Sequence, residues 1–215
     1  MIIAVAVVVF AYLVGSINFA VIFSKMFIKK DVREIGSGNA GATNVLRSGG
    51  ILPGALTFVF DALKGFVASF AGKIAFDYLF NQTQKDIFIP IYGALLCGIA
   101  CMLGHVFPIF FQFKGGKGVA TSVGIFAVCS PIAIIIGLTV FAMITAITKY
   151  VSLASVVATV VVVVTSLIFR ISDAPILPQF IMIFIMGFIV IFKHKDNIKR
   201  LLNGTENKIG GKKNG

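Results

Sequence analysis

Long apolar runs partition the chain: residues 2–23, 66–80, 87–111, 151–169 and 181–192. A run of about 20 such residues spans the hydrocarbon layer of a bilayer as a helix. The pattern predicts one helix over the first run, a second over about 53–80 and a third over about 87–111. The next stretch, 118–148, is too long for one untilted span. Ser130-Pro131 stands near its middle, and proline breaks or starts helices. The stretch therefore divides into a short helix over about 118–130 and a longer one over about 132–148. The short one cannot cross alone unless it is tilted or shielded by neighbours. Helices over about 151–169 and 178–193 bring the total to seven. The expected fold is all-α, a polytopic membrane protein with one seven-helix domain over residues 1–202. Residues 203–215 are rich in Gly, Lys and Asn without apolar periodicity, and are expected to form a flexible basic tail. The tail's lysines can touch anionic lipid.

Composition agrees with that fold class. Of 215 residues 58% are hydrophobic, and the mean hydropathy is +1.02, beyond what a soluble domain needs. The first run lacks a basic leader and a small-residue cleavage site, so it reads as a retained helix rather than a signal peptide. Cys97, Cys101 and Cys129 lie in apolar segments and read as small buried thiols, since no His or carboxylate stands at ligand spacing. No metal, cofactor or nucleic-acid partner is expected. Trp is absent, so Tyr and Phe must form any interfacial belt.

Charge sets an orientation. The net charge is +11. Lys25, Lys29, Lys30, Arg33 and Arg47 follow the first span; Lys114 and Lys117 follow the third; Lys193, Lys195, Lys199, Arg200, Lys208, Lys212 and Lys213 crowd the end. Lys149 stands alone before Val151, and the remaining loops hold only Lys73, Lys85 and Arg170, beside Asp77, Asp86 and Asp173. Cytoplasmic loops carry the excess Lys and Arg. The N-terminus is expected outside and the C-terminus in the cytoplasm. An even number of crossings between Lys117 and the basic end then requires the division at Pro131.

Two glycine-rich basic tracts interrupt the oily pattern. Gly36-Ser37-Gly38-Asn39-Ala40-Gly41 matches G-x-G-x-x-G in form. A dinucleotide site needs a preceding strand and a following helix on a parallel sheet, and here membrane helices flank the tract. A turn that merely needs glycines is the competing account. Thr43, Asn44 and Arg47 follow at helical spacing, and Arg offers a two-pronged fork for phosphate. Lys114-Gly115-Gly116-Lys117-Gly118 is not a Walker A loop, because Gln112 stands five residues before Lys117 and Gly118 replaces Ser or Thr. Its physics is similar: glycines and a lysine open a helix, so free amides and the helix dipole face the loop. A positive-inside anchor is the alternative.

His105 reads as an interfacial donor or a ligand. His194 and Asn197, three residues apart, can present two donors to one ligand. Phe110 and Lys199 stand five residues after the two histidines, so the His-x-x-x-x-Asp dyad of another acyltransferase class is missing. Asp61 and Lys64 lie within the second helix, where a lone charge costs about 2.5–3.5 kcal/mol. Their spacing predicts a mutual pair facing the bundle, as a buttress or as a functional element.

The tracts 36–47, 104–108 with 113–121, and 194–200 resemble, in order, the three motifs of the bacterial membrane-integral acyl-phosphate:glycerol-3-phosphate acyltransferases, the PlsY family. Ala40 stands where that family often has proline. The resemblance runs from the first helix through Asn207. It implies transfer of a fatty acyl group from acyl phosphate to the 1-hydroxyl of glycerol 3-phosphate, giving lysophosphatidic acid and phosphate for phospholipid synthesis. It implies a multi-pass protein of the bacterial inner (plasma) membrane with its active site facing the cytoplasm. Partners would be the two substrates, membrane lipid and an acyl-phosphate-producing enzyme. By motif match, Ser37, Lys117 and His194 are the expected catalytic residues. Gly38, Asn39, Thr43, Asn44, Arg47, His105, Gly115, Gly116 and Asn197 are expected to bind substrate. A transporter or flippase for a phosphorylated solute or lipid, built on the same basic pocket, is the rival.

Overall fold

The computed structural model describes residues 1–169 and 173–210. Arg170, and residues 211–215 of the expected tail with Lys212 and Lys213, lie outside them. Hydrocarbon offers backbone groups no partners, so a spanning chain must satisfy them internally, and helices do so. Among the described residues there are ten α-helices and no strand.

The first span, 26 residues long, is two helices, α1 (Ile2–Gly15) and α2 (Phe19–Phe27). The run predicts one unbroken helix; the break comes at Asn18, whose side chain accepts from the Val21 amide at 3.2 Å and caps α2. α3 (Ala42–Gly49) is short and polar, and α4 (Ile51–Thr83) is the longest helix at 33 residues. α5 (Pro90–Val106) starts on its proline. α6 (Val119–Cys129) is the expected short helix, and α7 (Pro131–Thr148) begins at the proline that divides the stretch. α8 (Val151–Ile168) and α9 (Ile176–Lys193) follow, and α10 (Lys195–Leu202) ends the helical part. Among the described residues six segments are long and apolar enough to cross a membrane, and α6 is the seventh, shorter apolar helix.

Polarity is arranged inside out. Ile51 is 80% exposed and Ile147 78%, whereas Asp61, Ser69, Thr121 and His105 are buried. Apolar side chains face lipid and polar ones face the bundle, as hydrocarbon solvent demands. α6 is shielded by lying along α4. A Cβ at Gly124 would collide with the Ala62 backbone, and one at Gly65 with that of Thr121, so glycine at both positions lets the two helices touch.

The topology brings many helix ends to one place. α5 and α9 arrive there, α4, α6 and α8 depart from it, and the α7–α8 turn returns to it, where Lys149 O accepts from the Ile209 amide at 2.9 Å. α3, α10 and residues 203–210 cap this end.

Candidate active site

A cleft enclosing ≈ 830 Å³ of empty space up to its mouth opens at that end. Ser37, Asn39, Thr43, Asn44, Arg47, His105, Lys117, His194 and Asn197 all line it. These are residues the sequence singled out, from three tracts up to 160 positions apart. Gly38, Gly115 and Gly116 are not among the lining residues.

The first tract is held by its own polar side chains. Asn44, only 2% exposed, donates through Nδ2 to the carbonyls of Val32, Ile35 and Asn39 at 2.9–3.1 Å, and its Oδ1 accepts the Ser37 amide at 3.0 Å. Its donors are spent on the loop, so it shapes the tract that presents Ser37. Arg33 grips Asp31 with two hydrogen bonds, of 3.0 and 2.8 Å, and donates to Phe111 O at 3.0 Å, tying the segment before the first tract to the loop inside the second. Arg47 projects from α3 and donates to Asn207 O at 2.8 Å.

The second tract turns sharply beneath His105. The Gly116 amide donates to His105 O at 3.1 Å, so it is engaged within the protein. Glycine is required there: a Cβ would land on the His105 ring and on Ala40 O. Amides in the first turn of α6, which have no helical partner and carry the positive end of the dipole, remain free for an anion. Lys117 stands just before that turn. Its Nζ donates to Asn197 Oδ1. Burial, outweighing the pull of Glu206, lowers the Lys117 ammonium to about 8.

The third tract supplies a histidine and a polar chain. His194 Nδ1 lies 2.8 Å from Val190 O. A carbonyl only accepts, so Nδ1 carries the proton and neutral Nε2 keeps its lone pair. Burial and then the nearby Lys117 charge press His194 down to about 4. Asn197 Nδ2 donates to Glu206 Oε1 at 2.8 Å, Ser152 Oγ donates to the same oxygen at 3.0 Å, and Arg200 Nε donates to Oε2 at 2.7 Å. Burial alone would raise the Glu206 carboxyl, but these three hydrogen bonds together hold it below its usual value.

Glu206, Arg200, Asn207, Ser152 and Ser155 also line the cleft, and none was expected there. Glu206 falls in the stretch read as tail, yet it is buried, and Asn207 and Ile209 are tied to α3 and to the α7–α8 turn. A signal was present: Glu206 is the sole acid among residues 197–215, six positions beyond Arg200. Phe58, Val119, Phe141 and Ser155 line both this cleft and a second, almost wholly apolar cavity that continues between α6, α7, α8 and α9. A charged chamber thus opens into an oily groove.

Residues 5–204 match the family model described as glycerol-3-phosphate acyltransferase. The chain belongs to the glycerol-3-phosphate acyltransferase family. Glycerol-3-phosphate acyltransferase 2 of Bacillus anthracis is 43% identical over 201 residues, covering 94% of this chain and 96% of its own. Glycerol-3-phosphate acyltransferase of Thermoanaerobacter sp. (strain X514) is 44% identical over 209 residues, covering 97% of each. The crystal structure of PlsY, an integral membrane glycerol 3-phosphate acyltransferase, in its glycerol 3-phosphate form superposes with a TM-score of 0.82 at 38% identity, covering 96% of both chains. Its lysophosphatidic acid form gives 0.79 at the same identity, covering 96% of this chain and 95% of the other. The chain is accordingly an integral membrane acyltransferase, as its motifs imply.

Proposed function

We propose that this acyltransferase moves a fatty acyl group from acyl phosphate to the 1-hydroxyl of glycerol 3-phosphate, yielding lysophosphatidic acid and inorganic phosphate. The observation that carries this reading is the joining of a cationic cleft, with Arg47, Lys117 and the α6 N-terminus, to an apolar groove at Val119 and Ser155. One compound with a phosphate head and a fatty chain fits across that junction. A second small phosphate fits beside Arg47. The family names and the two PlsY forms support glycerol 3-phosphate as acceptor and lysophosphatidic acid as product. The basic residues gathered at this end support a cytoplasm-facing site in the bacterial inner membrane, with the N-terminus outside and the C-terminus inside.

The chemistry follows from charge and proximity. Two phosphates repel, and Lys117 with Arg47 offsets that repulsion. The glycerol C1 oxygen attacks the acyl carbonyl carbon; that C–O bond forms as the carbonyl-to-phosphate C–O bond breaks. The hydroxyl proton passes to an oxygen of the departing phosphate, so the substrate serves as its own base. Lys117 and the α6 amides stabilise the charge that develops. His194 Nε2 accepts from a glycerol hydroxyl and orients it. Ser37, whose hydroxyl has no protein partner among the described residues, contributes a hydrogen bond rather than a nucleophile.

The purified protein in detergent, given acyl phosphate and glycerol 3-phosphate, should release lysophosphatidic acid. Vectorial glycerol 3-phosphate flux in liposomes without covalent product would instead establish the transporter.

A further inference from the structure

One buried cluster in the cleft wall has no part in that chemistry. Asp61 on α4 is 1% exposed, and Lys64 and His105 are buried beside it. Lys64 Nζ lies 2.8 Å from Asp61 Oδ1 and donates to Ile17 O at 2.7 Å, in the break between α1 and α2. The same carboxylate oxygen lies 3.6 Å from His105 Nδ1, a charge–dipole contact just beyond hydrogen-bond length. Nδ1 has no hydrogen-bond partner among the described residues. The carboxylate therefore favours the ring tautomer with the proton on Nδ1 and fixes the ring's rotation.

That ring packs against the turn of the second tract, where the first tract also comes close. It lies against Gly116 so closely that only glycine fits, and Ala40 O of the first tract closes on the same carbon. The His105 carbonyl takes the Gly116 amide. The imidazole is thus wedged where the two tracts meet, one residue before Lys117. Turning it would move Gly116 and Lys117 together.

We propose that Asp61, clamped by Lys64, is a positioning residue that acts through His105 to set the 114–118 turn and hence where Lys117 meets the donor's phosphate. The inference rests on the reading of Lys117 as a phosphate ligand. It gives the charged pair in the bundle a task beyond bracing two helices.

The test is a double-mutant cycle on purified protein, with Asp61→Asn, His105→Asn and the double variant, each shown folded by its elution profile and melting temperature. Kinetics are run with each substrate varied in turn. Asp61→Asn should lower kcat/KM for acyl phosphate by roughly ten- to a hundredfold, the size of effect that displacement by about 1 Å produces. KM for glycerol 3-phosphate should stay within about twofold of wild type, since Arg47 is untouched. The double variant should be no worse than His105→Asn alone, because Asp61 acts through that ring. Multiplying losses, or equal losses for both substrates, would overturn the proposal. Asp61→Glu, which keeps the charge and displaces it by one methylene, replaces Asp61→Asn if the latter does not fold, with the same expectations. Wild-type protein that makes no lysophosphatidic acid would instead remove the functional reading. An active wild type with an unimpaired Asp61 variant removes only the positioning role.

Discussion

Lys117 ties activity and stability to pH with opposite signs. Burial, reinforced by Arg200 and Arg47 and opposed by Glu206 and Asp196, moves its ammonium from 10.5 to about 8. That move corresponds to about 3 kcal/mol against the cation in the empty cleft. A bound phosphate supplies the missing counter-charge, so donor binding and protonation are linked. Near pH 7 about 90% of the lysine is charged, and near pH 9 about 10%. kcat/KM for acyl phosphate should therefore be level to about pH 7.5 and fall tenfold per pH unit well above 8. Stability should do the reverse. Between about 8 and 10.5 the unfolded chain binds the proton and the folded chain does not, so folding is favoured more as pH rises through that window, by up to about 3 kcal/mol. Lys117→Arg stays protonated and should abolish the fall in kcat/KM while keeping part of the activity. Lys117→Met should abolish the rise in stability and nearly all turnover. The assay follows labelled glycerol 3-phosphate into lysophosphatidic acid with donor below its KM, with enzyme-free blanks for alkaline hydrolysis. Thermal unfolding without substrate is followed over the same pH range. A wild-type profile level to pH 10, or activity surviving undiminished in Lys117→Met, would exclude Lys117 as the phosphate's cation.

Glu206→Gln puts an amide N–H against a donor in either orientation. Losing the half-exposed Arg200 pair is the milder choice, so unfolding in detergent should show a loss of about 1–2 kcal/mol. The lowered Glu206 carboxyl contributes stability above the usual carboxylate value, lost as pH falls through its folded value. Wild type should therefore destabilise more steeply in acid than Glu206→Gln. His194→Ala should lower kcat/KM for glycerol 3-phosphate about tenfold, the worth of a hydrogen bond to a reacting group. The wild-type pH profile should show no His194 inflection near 6.5, because that ring is already neutral there. Ser155→Phe narrows the junction between cleft and groove. It should raise KM for a palmitoyl donor far more than for a butanoyl one, and an equal effect on both would exclude the groove as the chain's seat.

The spans were legible because hydrocarbon imposes a length and an apolar surface on each. Pro131 marked the division between α6 and α7, and the three-residue spacing of Asp61 and Lys64 foretold a pair that is 2.8 Å apart. The break at Asn18 was hidden because one polar residue in an apolar run does not change its average, although its capping chemistry was there to read. At the cleft, residue type announced Arg47, Lys117 and His194. It could not show that the Gly116 amide is taken by His105, or that Asn44 spends its donors on its own loop. Those facts depend on which backbone groups are left unpaired, and only the folded loops decide that. Glu206 escaped notice because polar composition resembles disorder until three donors from separate segments converge on one carboxylate.

In the proposed reaction two phosphorylated compounds lie together in this cleft and exchange the acyl group directly. Phosphate release and lysophosphatidic acid formation, followed in one tube with glycerol 3-phosphate present and then omitted, separate direct transfer from transfer through the protein. One phosphate should appear per lysophosphatidic acid, and none without the acceptor. A rapid release of one phosphate per enzyme in the acceptor's absence would reveal an acylated protein and rule out direct transfer.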